Sequence, residues 1–106
     1  MSVYTFEEIA DKVRPIAEKY QLRNVWLFGS YARGDAIEKS EIDLLIDYDD
    51  NIKRGSFWIG GLYMDFCEVF DKEISMVTLN SLEYRRKDPI DSRFVQEIEL
   101  DRRKIV

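Results

Sequence analysis

The chain has 106 residues, 45% hydrophobic and 35% charged, with a formal net charge of −5, one cysteine and no histidine. That length supports one compact core, read as a single domain over 1–106. The composition excludes an internal disulfide, a thiolate zinc cluster, imidazole bases and the broad basic face of a general nucleic-acid binder, so no direct nucleic-acid binding is expected.

Thr5-Phe6-Glu7-Glu8 reads as a capping box, and Ile9, Val13, Ile16, Ala17 and Tyr20 then recur at helical spacing. A first helix to about Tyr20 follows, with Pro15 expected to kink or strain it. Asn24 to Phe28 is bulky and apolar, the pattern of a strand buried on both faces. Gly29-Ser30 ends that strand, and a short helix from Tyr31 to about Ala36 is expected, interrupted early by Gly34. Ile42 to Tyr48 reads as the second strand. Residues 49–55 form a polar loop, the one segment that reads as mobile.

Ser56 is expected to cap a helix from Phe57 to about Phe70, weakened by Gly60-Gly61. A third strand is predicted over Glu73 to Thr78. Short helices are predicted over Ser81 to Arg86 and Ser92 to about Leu100, separated by Pro89. Arg102 to Val106 reads as either an edge strand or a tail. This is an alternating α/β (α+β) chain around a small sheet, the class in which ligands sit at strand ends. No apolar run reaches bilayer length and the first residues lack a signal-peptide layout, so no membrane association and a cytoplasmic location are expected.

Two features carry chemistry. Gly29 stands where a strand turns into a helix and admits a ligand close to the backbone. Ser30 adds a hydroxyl near free amides, and Arg33, one turn on, offers planar donors for phosphate oxygens. By itself Gly-Ser is more often an ordinary turn. The following strand changes that balance, because residues two apart share a face, which points Glu41 and Asp43 together. Such a pair beside a buried strand end repels itself and is desolvated, and a hard cation such as Mg²⁺ relieves both costs. Asp47 shares their parity and is read, with Asp49 and Asp50, as an acidic loop edge close enough to the site to matter.

At this point the residues match a pattern. Gly29-Ser30-Tyr31-Ala32-Arg33-Gly34 followed by Ser40-Glu41-Ile42-Asp43-Leu44-Leu45 resembles the minimal nucleotidyltransferases of the DNA polymerase beta-like superfamily. Their pattern reads Gly-Ser-x-Ala-Arg-Gly, then Ser-Asp-Ile-Asp-Leu. The resemblance implies a small mixed β-sheet flanked by helices, with ATP as substrate and Mg²⁺ as cofactor. Gly29, Ser30 and Arg33 would bind the nucleoside triphosphate, while Glu41 and Asp43 would hold the metal and act in catalysis.

It also implies a biological setting: many such proteins are antitoxins paired with an all-helical HEPN partner, and some pass AMP from ATP to a tyrosine of it. The chain departs from the pattern twice. Glu41 replaces an aspartate, and Ser75, in Ile74-Ser75-Met76-Val77, stands where the resemblance places a third catalytic carboxylate. Glu73, two residues earlier, is the candidate substitute.

Three readings stay open: an active transferase, a degenerate member that neutralises its partner by binding alone, and a nucleotide sensor. The apolar surplus of the helix around Trp58 and Tyr63 suits a partner-binding surface in a homo- or hetero-oligomer. Arg85-Arg86-Lys87 and Arg102-Arg103-Lys104 read as solvated charges, and Cys67 as a small core residue.

Overall fold

The computed structural model describes residues 3–106. In chain order the elements are α1 (Phe6–Lys19), β1 (Asn24–Phe28), α2 (Ser30–Arg33), β2 (Ile42–Asp47), α3 (Trp58–Val69), β3 (Ile74–Thr78), α4 (Leu79–Arg85), α5 (Ser92–Asp101) and β4 (Arg103–Lys104). The four strands form one mixed sheet in the order β3-β2-β1-β4. β1 runs antiparallel to β2 and β4, whereas β2 and β3 are parallel. Residues 102–106 thus supply the short edge strand.

Side-chain alternation divides the core into two layers. Val25, Leu27, Ile42, Leu44 and Ile46 pack with Ile9, Val13 and Ile16 of α1 and Leu62 and Phe66 of α3. Phe28 and Leu45 point the other way, onto Leu82 of α4 and Val95 and Ile98 of α5. The register sets Phe28 opposite Asp43, so Asp43 belongs to the face that α5 covers.

The capping box at α1 forms as expected: the Glu8 amide donates to the Thr5 hydroxyl at 3.1 Å and the Thr5 amide to the Glu8 carboxylate at 2.8 Å. α1 runs unbroken through Pro15. Pro15 and Asp11 are both exposed, so the Asp11 carbonyl that loses its helical donor faces water, and no break is needed. At α3 the expected cap does not form. Phe57 occupies the N-cap position without a side-chain bond, and Ser56 lies outside the helix. Thr78 caps α4 instead, accepting from the Ser81 amide at 3.2 Å, which starts that helix at Leu79, two residues before the predicted Ser81. α2 begins at Ser30 and stops at Gly34, whose φ of 86° only glycine adopts easily. The basic clusters are less free than expected. Arg86 pairs with Glu83 and Glu99, while Arg102 and Arg103 lie over the rings of Trp26 and Phe6.

The loop after β2 is pinned rather than loose. The Arg54 guanidinium donates to the carbonyls of Tyr20, Gln21, Asp49 and Ile52 at 2.7–3.3 Å and stacks 4.8 Å from the Trp58 ring. Tyr20 and Gln21 close the C-terminal end of α1, where Gln21 adopts a φ of 55°. A cation there meets carbonyls that the helix leaves unsatisfied and opposes the negative end of its dipole. Arg54→Ala should therefore cost about 2 kcal/mol in urea unfolding, while the neighbouring exposed Lys53→Ala stays within about 0.5 kcal/mol. Equal effects would show that the loop is not held by Arg54.

Candidate functional site

The site begins with a forced turn. Gly29 has φ 75° and ψ −155°, a backbone shape that side chains essentially forbid. A Cβ placed there would come within 2.3 Å of Asp43 Oδ2. Both reasons require glycine: the chain must bend sharply, and its backbone must lie against the carboxylate on β2. Ser30 opens α2 directly after it, where the first amides have no helical acceptor. Behind the turn, Tyr31 is buried in the core shared with α1 and α3 and anchors α2.

Asp43 is half-buried, and its carboxyl is pushed up to about 6. Burial is the main cause and the charge of Glu41 adds to it, while the Ser75 hydroxyl and the Arg33 guanidinium pull the other way. Ser75 is the register partner of Asp43 on β3, and Glu73 is exposed just before that strand. Among the described residues no three acidic, histidine or cysteine side chains gather as a metal cluster. Asp43 on β2 and Glu41 just before it are two carboxylates, a number that suits Mg²⁺ completed by phosphate oxygens and water.

A cleft of about 200 Å³ opens beside the turn, lined by Phe28, Gly29, Arg33, Asp43, Phe94, Glu97, Ile98 and Asp101. Of the residues singled out from sequence, it brings Gly29, Arg33 and Asp43 together, with Ser30 adjoining. Glu41 is exposed one residue before β2, and Ser75 lies across Asp43 from β1. Asp47 is a correction. It sits at the opposite end of β2, buried to 8% exposure and accepting from Asn24 Nδ2 at 2.9 Å. Four residues of strand, about 13 Å, separate it from Asp43, so it is structural and not part of the loop edge or the site. The α5 wall went unforeseen, although Phe94, Glu97, Ile98 and Asp101 recur at the spacing of one helical face.

Comparison with known proteins identifies the family. The family model described as polymerase beta, nucleotidyltransferase, matches residues 11–93. The chain belongs to the polymerase beta nucleotidyltransferase family. A Methanocaldococcus jannaschii relative, provisionally named a protein adenylyltransferase, is 34% identical over 83 residues, covering 78% of this chain and 87% of its own. The protein adenylyltransferase MntA of Thermococcus cleftensis is 35% identical over 54 residues, 47% of this chain and 54% of that one. Among solved structures, a toxin-antitoxin with AMP-PNP aligns with a TM-score of 0.65 at 19% identity, covering 92% of this chain and 72% of that chain. A tri-AMPylated Shewanella oneidensis HEPN toxin in complex with an MNT antitoxin gives 0.60 at 16% identity, covering 94% and 71%. At such identities the structures establish the shared nucleotidyltransferase fold.

The raised carboxyl of Asp43 has a measurable consequence. A folded-state value near 6, above the unfolded value near 4, means that the folded protein holds this proton more tightly. Its contribution is therefore fully favourable below about pH 4 and is lost as pH rises through 6. In metal-free buffer Asp43→Asn should be more stable than the wild type at pH 7.5, by about 1–2 kcal/mol given the part of the carboxylate open to solvent. The gap should close by pH 4. A gap that is constant across this range, or that widens towards acid, contradicts the assignment.

Proposed function

We propose that this chain is a protein adenylyltransferase that uses Mg-ATP to pass AMP to a hydroxyl of a helical HEPN-type partner, and so acts as an antitoxin. The observation that carries the reading is the Gly29–Asp43 approach: a glycine-only turn lies against a half-buried carboxylate. Such an arrangement costs stability unless a cation and a phosphate occupy it. The names of the relatives and the partners in the solved complexes point to the same chemistry.

In this reading Ser30 and the amides of the turn bind phosphate oxygens, and Arg33 supplies further donors. Glu41 and Asp43 hold the metal. Bound magnesium would supply charge neutralisation of the transferring phosphoryl group. The acceptor oxygen attacks the α-phosphorus in line, the bond to pyrophosphate breaks and pyrophosphate leaves, and the acceptor hydroxyl gives its proton to solvent water.

The third carboxylate of the pattern would assist that deprotonation. Ser75, the neighbour of Asp43 on β3, is a poor base, so turnover should be slow. The same observation supports the second reading, neutralisation by binding alone. Phe57, Ile59, Tyr63 and Met64 of the α3 region are exposed and suit a protein contact. Trp58 is less available than the sequence suggests, since it packs edge-on against Tyr48 at 4.9 Å.

Incubation with labelled ATP and the product of the adjacent gene separates the two. Transfer should occur at a low rate, fall at least about 100-fold in Asp43→Ala, and rise at least about 10-fold in Ser75→Asp. Neutralisation that persists in Asp43→Ala, without label at any time, would leave the binding reading in place of the enzymatic one.

A further inference from the structure

α5 ends in a way its own electrostatics do not favour. Asp101 is its last residue, and its last turn carries no basic side chain. An acid there opposes the negative end of the helix dipole, at a cost of roughly 0.3–1 kcal/mol. The residue that answers it comes from 68 positions earlier: Arg33 donates from Nη1 to Asp101 Oδ2 at 2.8 Å. Arg33 also donates from Nε to Asp35 at 3.3 Å. Two edges of the guanidinium are thereby fixed, and three of its five N–H donors remain.

Those remaining donors belong to a side chain that lines the same cleft as Gly29 and Asp43. Its charge reaches Asp43, where it opposes the upward push on the carboxyl. Stability does not explain the arrangement. Arg33 is 46% exposed and Asp101 21%, and such pairs contribute about 1 kcal/mol or less to folding. Orientation does explain it. Arg33 stands at the end of a four-residue helix, and an arginine there would otherwise sample many rotamers and lose that freedom only on meeting a ligand.

We infer that Asp101 is a positioning residue, which holds the Arg33 guanidinium toward the cleft so that its free donors meet the triphosphate already ordered. The inference deepens the proposed function and rests on its assignment of Arg33 to the nucleotide. Asp101 itself does not touch the reacting atoms. Its carboxylate stays on the guanidinium, and the α5 wall is thereby tied to the phosphate turn.

Calorimetric titration of the full chain with Mg-ATP tests this, with thermal melts to verify folding. Asp101→Asn should weaken binding about 3- to 10-fold with little change in melting temperature. Asp101→Glu, which keeps the carboxylate, should recover at least half of the affinity on a logarithmic scale. In an Arg33→Ala background, Asp101→Asn should have no further effect. If Asp101→Asn binds more tightly, Asp101 competes for Arg33 rather than positioning it. Unchanged affinity in Asp101→Asn alongside a loss in Arg33→Ala likewise overturns the inference while leaving the proposed function standing. So does a full additional loss in the Arg33→Ala background. If Arg33→Ala binds as the wild type does, the fault lies in the assignment of Arg33 to the nucleotide. Absence of Mg-ATP binding in the wild type removes both.

Discussion

A carboxylate held half out of water against a glycine backbone governs this molecule. Asp43 stands beside Phe28 on one side and Ser75 on the other, so its strand neighbours fix its direction. Gly29 leaves no room for a side chain between the turn and Asp43 Oδ2. An ordinary protein would avoid this, because a desolvated acid next to a second acid contributes nothing to folding. Here the surrounding sheet is apolar and fully buried at Ile42, Leu44, Leu45 and Ile46. That packing over-determines the strand and keeps the unfavourable carboxylate in place. Strain at one point is compatible with a stable domain because the burden falls on a rigid element.

The parts read correctly from sequence are those with local causes. Thr5 and Glu8 announce a helix through two reciprocal hydrogen bonds. The apolar run of Ile42, Leu44, Leu45 and Ile46 announces a buried strand, because apolar residues at both parities need cover on both faces. Gly29 was legible for the same reason, because its φ of 75° demands a residue without a side chain. Ser56 was misread because a serine before an apolar run resembles a cap, whereas the loop pinned by Arg54 delivers Phe57 to that position. Pro15 lies inside a continuous α1, with its penalty set by which side of the helix faces water, and periodicity alone does not weigh the carbonyl it leaves unpaired.

Residues that act through long-range contacts were hidden. Asp101 is an unremarkable acid in a charged C-terminal stretch until the fold brings Arg33 to 2.8 Å from it. Arg54 looks like one of two cations in a polar loop, yet it joins the carbonyls of its own loop to those at the end of α1. Asp47 shows the converse. Its parity with Asp43 suggested shared chemistry, but parity specifies a face and not a position along it. The far end of the strand gave it Asn24 as a partner.

The same distinction bears on Ser75. A third carboxylate at that register position would stand beside Asp43, already pushed up to about 6 by burial and Glu41. Without bound cation, three acids there would raise the cost of folding further; with it, they would hold the metal harder and supply a base. A hydroxyl at Ser75 favours the ionised form of Asp43 instead. The hydroxyl therefore leaves a less frustrated site than a third acid would.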